Sequence, residues 1–163
     1  MKINTRVRYA IRMMADIARY GDDKPVPLKD VASRQELSKL YLSQLAAPLR
    51  NASLLKSVWG NKGGYVLTRP AGEIHLREII EAVDGPVSVI DCVIEPESCE
   101  RSDRCETIAV WRDINQAIVD TLDKYTLQDL ADFSQTHVAE GAACRPSLNR
   151  PVSIAARATG TEA

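Results

Sequence analysis

The sequence predicts a mainly α-helical protein with a small β wing, that is, a winged helix-turn-helix followed by a long dimerisation helix. Three patterns predict this class. Apolar residues recur at helical spacing in three successive segments before residue 52, a Gly-rich turn then separates two β-prone runs, and a long apolar stripe follows residue 105. With 163 residues, 45% hydrophobic and 26% charged, the chain has the size and composition of one globular domain with an additional arm.

Basic and acidic residues divide unevenly along the chain. Residues 1–70 contain 13 Lys and Arg against 5 Asp and Glu, and residues 71–163 contain 8 against 17, so the net charge of −1 conceals balances of +8 and −9. A basic N-terminal half favours a polyanionic partner, usually nucleic acid. The simpler alternative is that the uneven charge arises by chance and that these side chains only line solvent-exposed helix faces.

The first three predicted helices lie in TRVRYAIRMMADIARYG, VPLKDVASRQEL and KLYLSQLAAPLRNASLL. Gly21 should end the first helix, and Ser38 should cap the third, in which Pro48 should kink or weaken the last turns. The side chains expected to face the core are Val7, Ala10, Ile11, Met14, Ile17 and Ala18, then Leu28, Val31, Ala32 and Leu37, then Leu42, Leu45 and Leu49.

The second and third helices form a helix-turn-helix candidate. Residues at the start of the third helix would then meet base edges and phosphates, namely Ser38, Lys39, Tyr41, Ser43 and Gln44. Helix pairs of this kind also occur in bundles that bind nothing, so this pattern alone is weak.

The segment LLKSVWGNKGGYVLTRP predicts a β-hairpin. Strand-type residues flank its turn: Ser57, Val58 and Trp59 before it, Tyr65, Val66 and Leu67 after it. Gly60, Gly63 and Gly64 allow the positive φ angles that a hairpin turn needs, and Lys62 stands at the tip. The hairpin either serves as a wing whose tip enters a minor groove or only closes the core.

Three of the four cysteines, Cys92, Cys99 and Cys105, lie in one acidic stretch, DCVIEPESCERSDRC, which we call the cysteine segment (residues 91–105). An odd number of thiols fits disulfide pairing poorly, and the neighbouring acids should raise thiol pKa values and so disfavour a nucleophilic role. Zinc sites usually use closer cysteine pairs. From the residues alone, an iron–sulfur cluster, zinc and redox-active thiols remain comparable alternatives.

After the cysteine segment, ETIAVWRDINQAIVDTLDKY predicts a long helix with a narrow apolar stripe formed by Ile108, Trp111, Ile114, Ile118, Leu122 and Tyr125. Such a stripe suits a two-fold partner, and packing on the first helix is the alternative. Thr126 should cap a short closing helix, TLQDLADF, before a disordered tail of residues 134–163. The N-terminus carries no apolar run typical of a signal peptide or membrane span, so we expect a cytoplasmic protein.

The chain resembles the IscR-type family of iron–sulfur winged-helix transcriptional regulators from Met1 to about Phe133. The resemblance rests on RYAIRMM, LSKLYLSQLAAPLR, GNKGGYVLTRPAGEIHLREIIEAVDG, the three cysteines, and WRDI with TLQDLA after them. It implies a homodimer that binds double-stranded DNA at an imperfect palindrome. It also implies an iron–sulfur cluster held by Cys92, Cys99 and Cys105, with [2Fe–2S] favoured over [4Fe–4S]. The implied domains are a winged-helix DNA-binding domain at 1–85, a cluster-binding loop at 86–104, and the dimerisation and closing helices at 105–133.

The sequence departs from this family at the fourth ligand. Relatives use a His three residues after the last cysteine or an acid in the first helix, where this chain has Ile108 and Arg8, neither of which can ligate. The remaining candidates are the nearby oxygen donors Asp91, Asp103, Glu106 and Thr107, and the distant Cys144. At the wing, Trp59 replaces the Arg of many relatives, which leaves Lys62 as the nearer minor-groove cation.

The expected function is therefore that of a cluster-dependent, DNA-binding transcriptional regulator that senses iron, redox state, nitric oxide or cluster supply. The alternative is a cluster-free or zinc-binding winged-helix regulator controlled by a partner protein or a small molecule. Enzymatic activity is not expected, because the sequence contains no phosphate-binding Gly loop, no HExxH and no GxSxG.

Overall fold

A computed structural model describes residues 4–21, 24–60 and 63–139 of the chain, with side chains described as far as residue 133. The described part contains the helices α1 (Thr5–Gly21), α2 (Leu28–Gln35), α3 (Lys39–Asn51), α4 (Leu76–Asp84), α5 (Ile108–Lys124) and α6 (Leu127–Ala139). The strands β1 (Leu55–Val58) and β2 (Gly64–Leu67) pair in antiparallel fashion. This architecture confirms the predicted class, a mainly helical protein with a small β wing and a long helix after it.

The first helix forms the centre of the core, because α2, α3, α4 and α6 all pack against it. Its predicted apolar positions are buried or half-buried against this core. Met13 is also completely buried, although it lies outside the predicted stripe. A helix covered by neighbours on several sides buries a wider face than a surface helix does, which explains the difference.

The predicted helix-turn-helix is present. The Ser38 hydroxyl caps α3 by accepting the Tyr41 N–H at 3.5 Å. The three predicted core leucines of α3 are buried, and each such side chain contributes about 1.5–3 kcal/mol of transfer free energy. The helix continues through Pro48 to Asn51, so the proline does not end it.

The wing is held to the helix-turn-helix by backbone hydrogen bonds. Val26, which precedes α2, exchanges both hydrogen bonds with Tyr65 of β2, each at 2.9 Å. Because β2 also pairs with β1 from Leu55↔Leu67 to Val58↔Gly64, three segments of the chain meet at this point.

The glycines of the wing turn act differently from the prediction. Gly60 has the expected positive φ, 125°, but Gly63 and Gly64 do not. A Cβ at Gly63 would instead clash with the Val58 carbonyl oxygen, and one at Gly64 with the carbonyl oxygen of Val26. These two glycines are therefore required for close backbone approach. Lys62, predicted at the tip, lies outside the described residues.

The C-terminal helices differ in how much they bury. Thr126 caps α6 as predicted, since its hydroxyl accepts the Asp129 N–H at 3.2 Å. The helix then continues to Ala139, and so into the range 134–163 that was predicted as a disordered tail. The rest of that range, including Cys144, lies outside the described residues. Helix α5 packs mainly on α4 and on residues 91–93, whereas α6 is the C-terminal helix that packs extensively on α1. None of the described helices has both the length and the apolar character needed to cross a membrane.

Candidate nucleic-acid interface and cysteine segment

The exposed side of α3 is the candidate surface for nucleic acid. Lys39, Ser43 and Gln44 are exposed at the start of this helix, as a DNA-contacting role requires. The Ser43 hydroxyl donates to the Lys39 carbonyl at 3.0 Å, which leaves its oxygen lone pairs available as acceptors. The N-terminus of α3 also presents the positive end of the helix dipole, which favours a phosphate there.

Tyr41 has a different environment from its predicted neighbours. It is half-buried, and its ring meets the edge of Tyr9 in α1, with ring centroids 5.9 Å apart and planes at 89°. The Arg12 guanidinium lies 5.5 Å from the Tyr9 ring centroid. The ring of Tyr41 therefore helps to hold α3 on α1, a role that the sequence pattern did not predict.

An ion pair between a buried carboxylate and a partly exposed arginine fixes α2 on α1. Asp16 is only 3% exposed, and the Arg34 guanidinium donates to both of its carboxylate oxygens, with the shortest contact at 2.5 Å. The amide of Gln35 donates to the same carboxylate at 3.0 Å, and Arg34 also stacks over the Tyr20 ring at 4.1 Å from its centroid. The hydrogen bond with Asp16 raises the pKa of Arg34.

The tip of the wing presents a large aromatic side chain. Trp59 lies in the turn, just beyond the end of β1, and is 94% exposed. It therefore does not pack against the core, which was the alternative for this residue. Lys62, the cation predicted at the wing tip, lies outside the described residues.

The cysteine segment is a series of three 3₁₀ turns, Asp91–Val93, Pro96–Ser98 and Ser102–Arg104. Cys92 lies in the first turn, and Cys99 and Cys105 directly follow the second and third. Backbone hydrogen bonds link successive turns, for example from the Ser102 N–H to the Cys99 carbonyl at 3.0 Å. The spacing of the cysteines therefore matches the spacing of the turns.

All three thiols are free and partly exposed. Unpaired thiols are the soft donors that an iron–sulfur cluster prefers, so the donor set fits such a group in kind. Within the described residues, however, no three His, Cys, Asp or Glu side chains stand close enough together to hold a metal ion. The predicted fourth-ligand candidates in and just after the segment are exposed, namely Asp91, Asp103, Glu106 and Thr107.

Cys105 departs from the prediction that neighbouring acids raise the thiol pKa values. Its sulfur lies 3.3 Å from the Thr107 hydroxyl oxygen, which also accepts the indole N–H of Trp111 at 3.2 Å. Hydrogen bonding to Thr107, first from its side chain and then from its backbone, lowers the pKa of Cys105. Local hydrogen bonds thus outweigh the effect of desolvation at this thiol, and they favour the thiolate that metal binding requires.

Two contacts connect the cysteine segment and α5 to the winged-helix part. The Val89 N–H, just before the segment, donates to the Asn115 side-chain oxygen in α5 at 3.0 Å. Arg77 of α4 donates to Asp123 near the end of α5 at 2.7 Å. The stretch just before the segment thus contacts the middle of α5, and α4 contacts its C-terminal end.

Sequence reasoning missed two features of the first three helices. Asp16 was not singled out, although a carboxylate among apolar neighbours and an Arg in the next helix were the available signals. Leu40 was also passed over, because an apolar residue at the start of a helix is ordinarily assigned to the core. It is 72% exposed.

Comparison with known proteins agrees with this architecture. The curated relatives include the HTH-type transcriptional regulator IscR of Xenorhabdus nematophila, 42% identical over 130 residues (80% of this chain and 79% of that protein). The IscR of Pectobacterium atrosepticum is 41% identical over 132 residues, 81% of this chain and 80% of that protein.

Solved structures give the same result. CymR (YrzC), the global cysteine regulator of B. subtilis, superposes with a TM-score of 0.68 at 38% identity, covering 82% of this chain and 98% of that one. IscR of T. potens superposes with a TM-score of 0.66 at 33% identity, covering 88% and 94%. Residues 3–132 match the family model of the Rrf2 proteins, described as iron-dependent transcriptional regulators. The chain therefore belongs to the Rrf2 family of DNA-binding transcriptional regulators, which are not enzymes.

Proposed function

We propose that this regulator binds an iron–sulfur cluster, [2Fe–2S] rather than [4Fe–4S], through Cys92, Cys99 and Cys105, and that the cluster controls its affinity for DNA. The observation that carries the proposal is the set of three free thiols in a segment built of consecutive turns, which contacts α5 directly. The family description as iron-dependent supports it. The signal is iron, redox state, nitric oxide or cluster supply.

The DNA surface in this proposal combines α3 and the wing. Ser38, Lys39, Ser43 and Gln44 contact the major groove and its phosphates, Tyr41 positions α3, and Trp59 with Lys62 reaches the minor groove. The basic balance of residues 1–70 supports a polyanionic partner on this side of the molecule. The cytoplasm, which holds the DNA of the bacterial relatives, is the compartment that this role requires.

The proposal includes a homodimer that binds an imperfect palindrome. Helix α5 has no buried residue within the described chain, although it carries the predicted apolar stripe. Trp111, Ile114 and Tyr125 of this stripe are exposed. An exposed apolar stripe on a long helix suits a second copy of the same helix, and two-fold symmetry then gives two heads on one DNA site.

The cysteine segment acts as the switch in this mechanism. When bound, the cluster supplies a shared centre for the three thiolates. The chain's own contribution is to connect that centre to α5, through the packing of residues 91–93 on α5 and the Val89–Asn115 hydrogen bond. Ordering the segment then changes how the two heads are held, and DNA affinity changes because the two arrangements bind DNA differently.

Anaerobic purification with iron and sulfide counts tests this proposal. We expect Cys92→Ser, Cys99→Ser and Cys105→Ser each to lose the visible absorption of the cluster. Cys144→Ser, which removes a thiol outside the segment, should keep it and is the matched control. Binding to a duplex enriched by the full chain from a random library should then differ between loaded and cluster-free protein. Equal iron content in the Cys92 variant and in wild type, or equal DNA affinity in both states, contradicts the proposal.

A second candidate is a zinc-binding or cluster-free regulator controlled by a partner protein or a small molecule. Its cluster-free form is favoured by the absence, within the described residues, of three metal donors that stand close together. Colourless anaerobic protein with one zinc per chain would support this candidate, and so would DNA binding that responds to neither iron nor the three thiols.

A further inference from the structure

The two most exposed large hydrophobic residues of the described chain are Trp59, at 94%, and Leu40, at 72%. Trp59 stands in the wing turn and Leu40 in the first turn of α3. Both therefore lie on elements that, under the proposed function, face DNA, and Leu40 is the residue without an assigned role.

Leu40 takes no part in the core or in the apolar stripe of α5. The buried face of α3 is formed by Leu42, Leu45 and Leu49, with Ala46 beside them. Leu40 lies away from this face, in the first turn of α3, whereas the stripe that suits a second copy lies on α5.

Leu40 belongs to an uncharged row on the outer side of α3. Ser43 and Gln44 lie three and four residues after Leu40, Ala47 lies four and three residues after them, and all four are exposed. Residues at these steps share one helix face. Lys39 and Arg50, also exposed, carry the positive charge near the two ends of the helix. An uncharged row with cations near its ends suits base edges between phosphates better than phosphates alone.

The base edges of the major groove offer one apolar group, the 5-methyl of thymine, and aliphatic side chains are its usual partners. A leucine side chain neither donates nor accepts a hydrogen bond, so it gains nothing from the polar groups of the base edges. We infer that Leu40 is a specificity-determining residue that contacts a thymine 5-methyl group in the major groove of the operator. This inference rests on the proposed DNA-binding function of α3.

A duplex with and without thymine methyl groups tests the inference. The full chain first enriches a duplex from a random library. The same duplex is then synthesised with deoxyuridine in place of thymidine, which keeps base pairing and removes only the methyl groups. Binding of wild type and Leu40→Ala to both duplexes is measured at one salt concentration, so that the phosphate contribution is constant.

For wild type we expect the deoxyuridine duplex to bind about fourfold more weakly for each Leu40 contact, the effect of one buried methyl group. Leu40→Ala should bind both duplexes equally, and it should fold normally because the side chain is exposed. Lys39→Ala is the matched control on the neighbouring residue: it should weaken binding to both duplexes by the same factor and keep the wild-type preference for thymine.

Equal binding of wild type to the two duplexes would overturn the inference while leaving DNA binding intact. A preference for thymine that persists in Leu40→Ala would overturn it too, by assigning the contact to another residue. Failure of the wild-type chain to enrich or bind any duplex would instead contradict the proposed function itself, and the inference would fall with it.

Discussion

Two residues with side chains, Glu36 and Ser53, adopt the left-handed backbone region, with φ of 54° and 56°. Glu36 directly follows α2, and Ser53 follows α3 after Ala52. In both cases the next N–H reaches back to close the helix end: Leu37 to the Ala32 carbonyl at 3.0 Å, and Leu54 to that of Leu49 at 2.9 Å. Hydrogen bonds of this kind close helix C-termini at a left-handed residue, which is usually glycine but is Glu or Ser here. Single strained residues thus set the chain direction before and after α3.

Replacing Glu36 with Gly should raise the free energy of unfolding by about 0.5–1 kcal/mol. The left-handed conformation costs a residue with a side chain about 1–2 kcal/mol, which exceeds the extra backbone entropy that glycine loses on folding. Urea unfolding followed by circular dichroism measures the change. Ser33→Gly, an exposed position inside α2, is the control and should lower stability by about 0.5 kcal/mol. A Glu36→Gly protein no more stable than wild type would contradict the argument.

At the scale of elements, the starts of α4 and α6 form one junction. The Leu76 N–H donates to the Tyr125 carbonyl at 3.0 Å, and the Leu127 N–H donates to the Ile74 carbonyl at 2.8 Å. A carboxylate closes each helix start: Glu78 accepts the His75 N–H at 3.0 Å, and Asp129 accepts the Thr126 N–H at 2.7 Å. The junction therefore depends on two ionised side chains.

Acidification should weaken this junction. Burial tends to raise the pKa of Glu78, but hydrogen bonds from the His75 N–H and the Arg69 side chain together lower it below the ordinary value. The hydrogen bonds of Thr126 lower the pKa of Asp129 in the same way. A carboxylate with a lowered folded pKa contributes stability above its unfolded pKa, about 4, and this contribution is lost as the pH falls through the folded pKa.

We therefore expect the urea midpoint of wild type to fall between about pH 5 and pH 3, and Glu78→Gln to show a smaller fall from a lower starting value. Glu73→Gln, at a nearby exposed position, should keep the wild-type pH dependence. A Glu78→Gln protein that loses stability as steeply as wild type over this range would exclude Glu78 as a source of the effect.

The sequence was sufficient for features that depend on local spacing and insufficient for those that depend on distant backbone. Helical periodicity located the core leucines of α3, and the caps at Ser38 and Thr126 follow from residue type alone. The need for Gly64 could not be predicted in the same way, because it arises from the Val26 carbonyl, which is 38 positions earlier in the chain. The spacing of the three cysteines likewise did not predict whether their thiols lie close together. In the described structure they do not form a group that could hold a metal ion.

At the scale of the whole molecule, α5 has the least support from its own chain among the described α-helices. Its main contacts are with α4 and residues 91–93, and it buries none of its residues. The Arg77–Asp123 ion pair and the Asn115 hydrogen bond fix its direction. A helix held in place but left uncovered is suited to carry an interface between two copies.

In the proposed dimer, Ile114→Asp would bury a charge in the middle of the apolar stripe. We therefore expect this variant to be monomeric and to bind DNA at least about tenfold more weakly, because each head would then bind alone. Light scattering after size exclusion gives the mass, and titration of the enriched duplex gives the affinity. Arg112→Asp, two residues away and also exposed, is the matched control and should remain dimeric. A monomeric wild type, or a dimeric Ile114→Asp protein, would exclude α5 as the interface.

The paired hydrogen bonds between Val26 and Tyr65 have a consequence for regulation. They hold the hairpin against the segment that precedes α2, and Gly64 allows the two backbones to approach closely. Within one head, the wing therefore keeps a fixed position relative to the helix-turn-helix. Under the proposed function, a signal from the cysteines therefore changes the distance between the two heads of the dimer along the DNA, and it leaves the position of the wing relative to α3 unchanged.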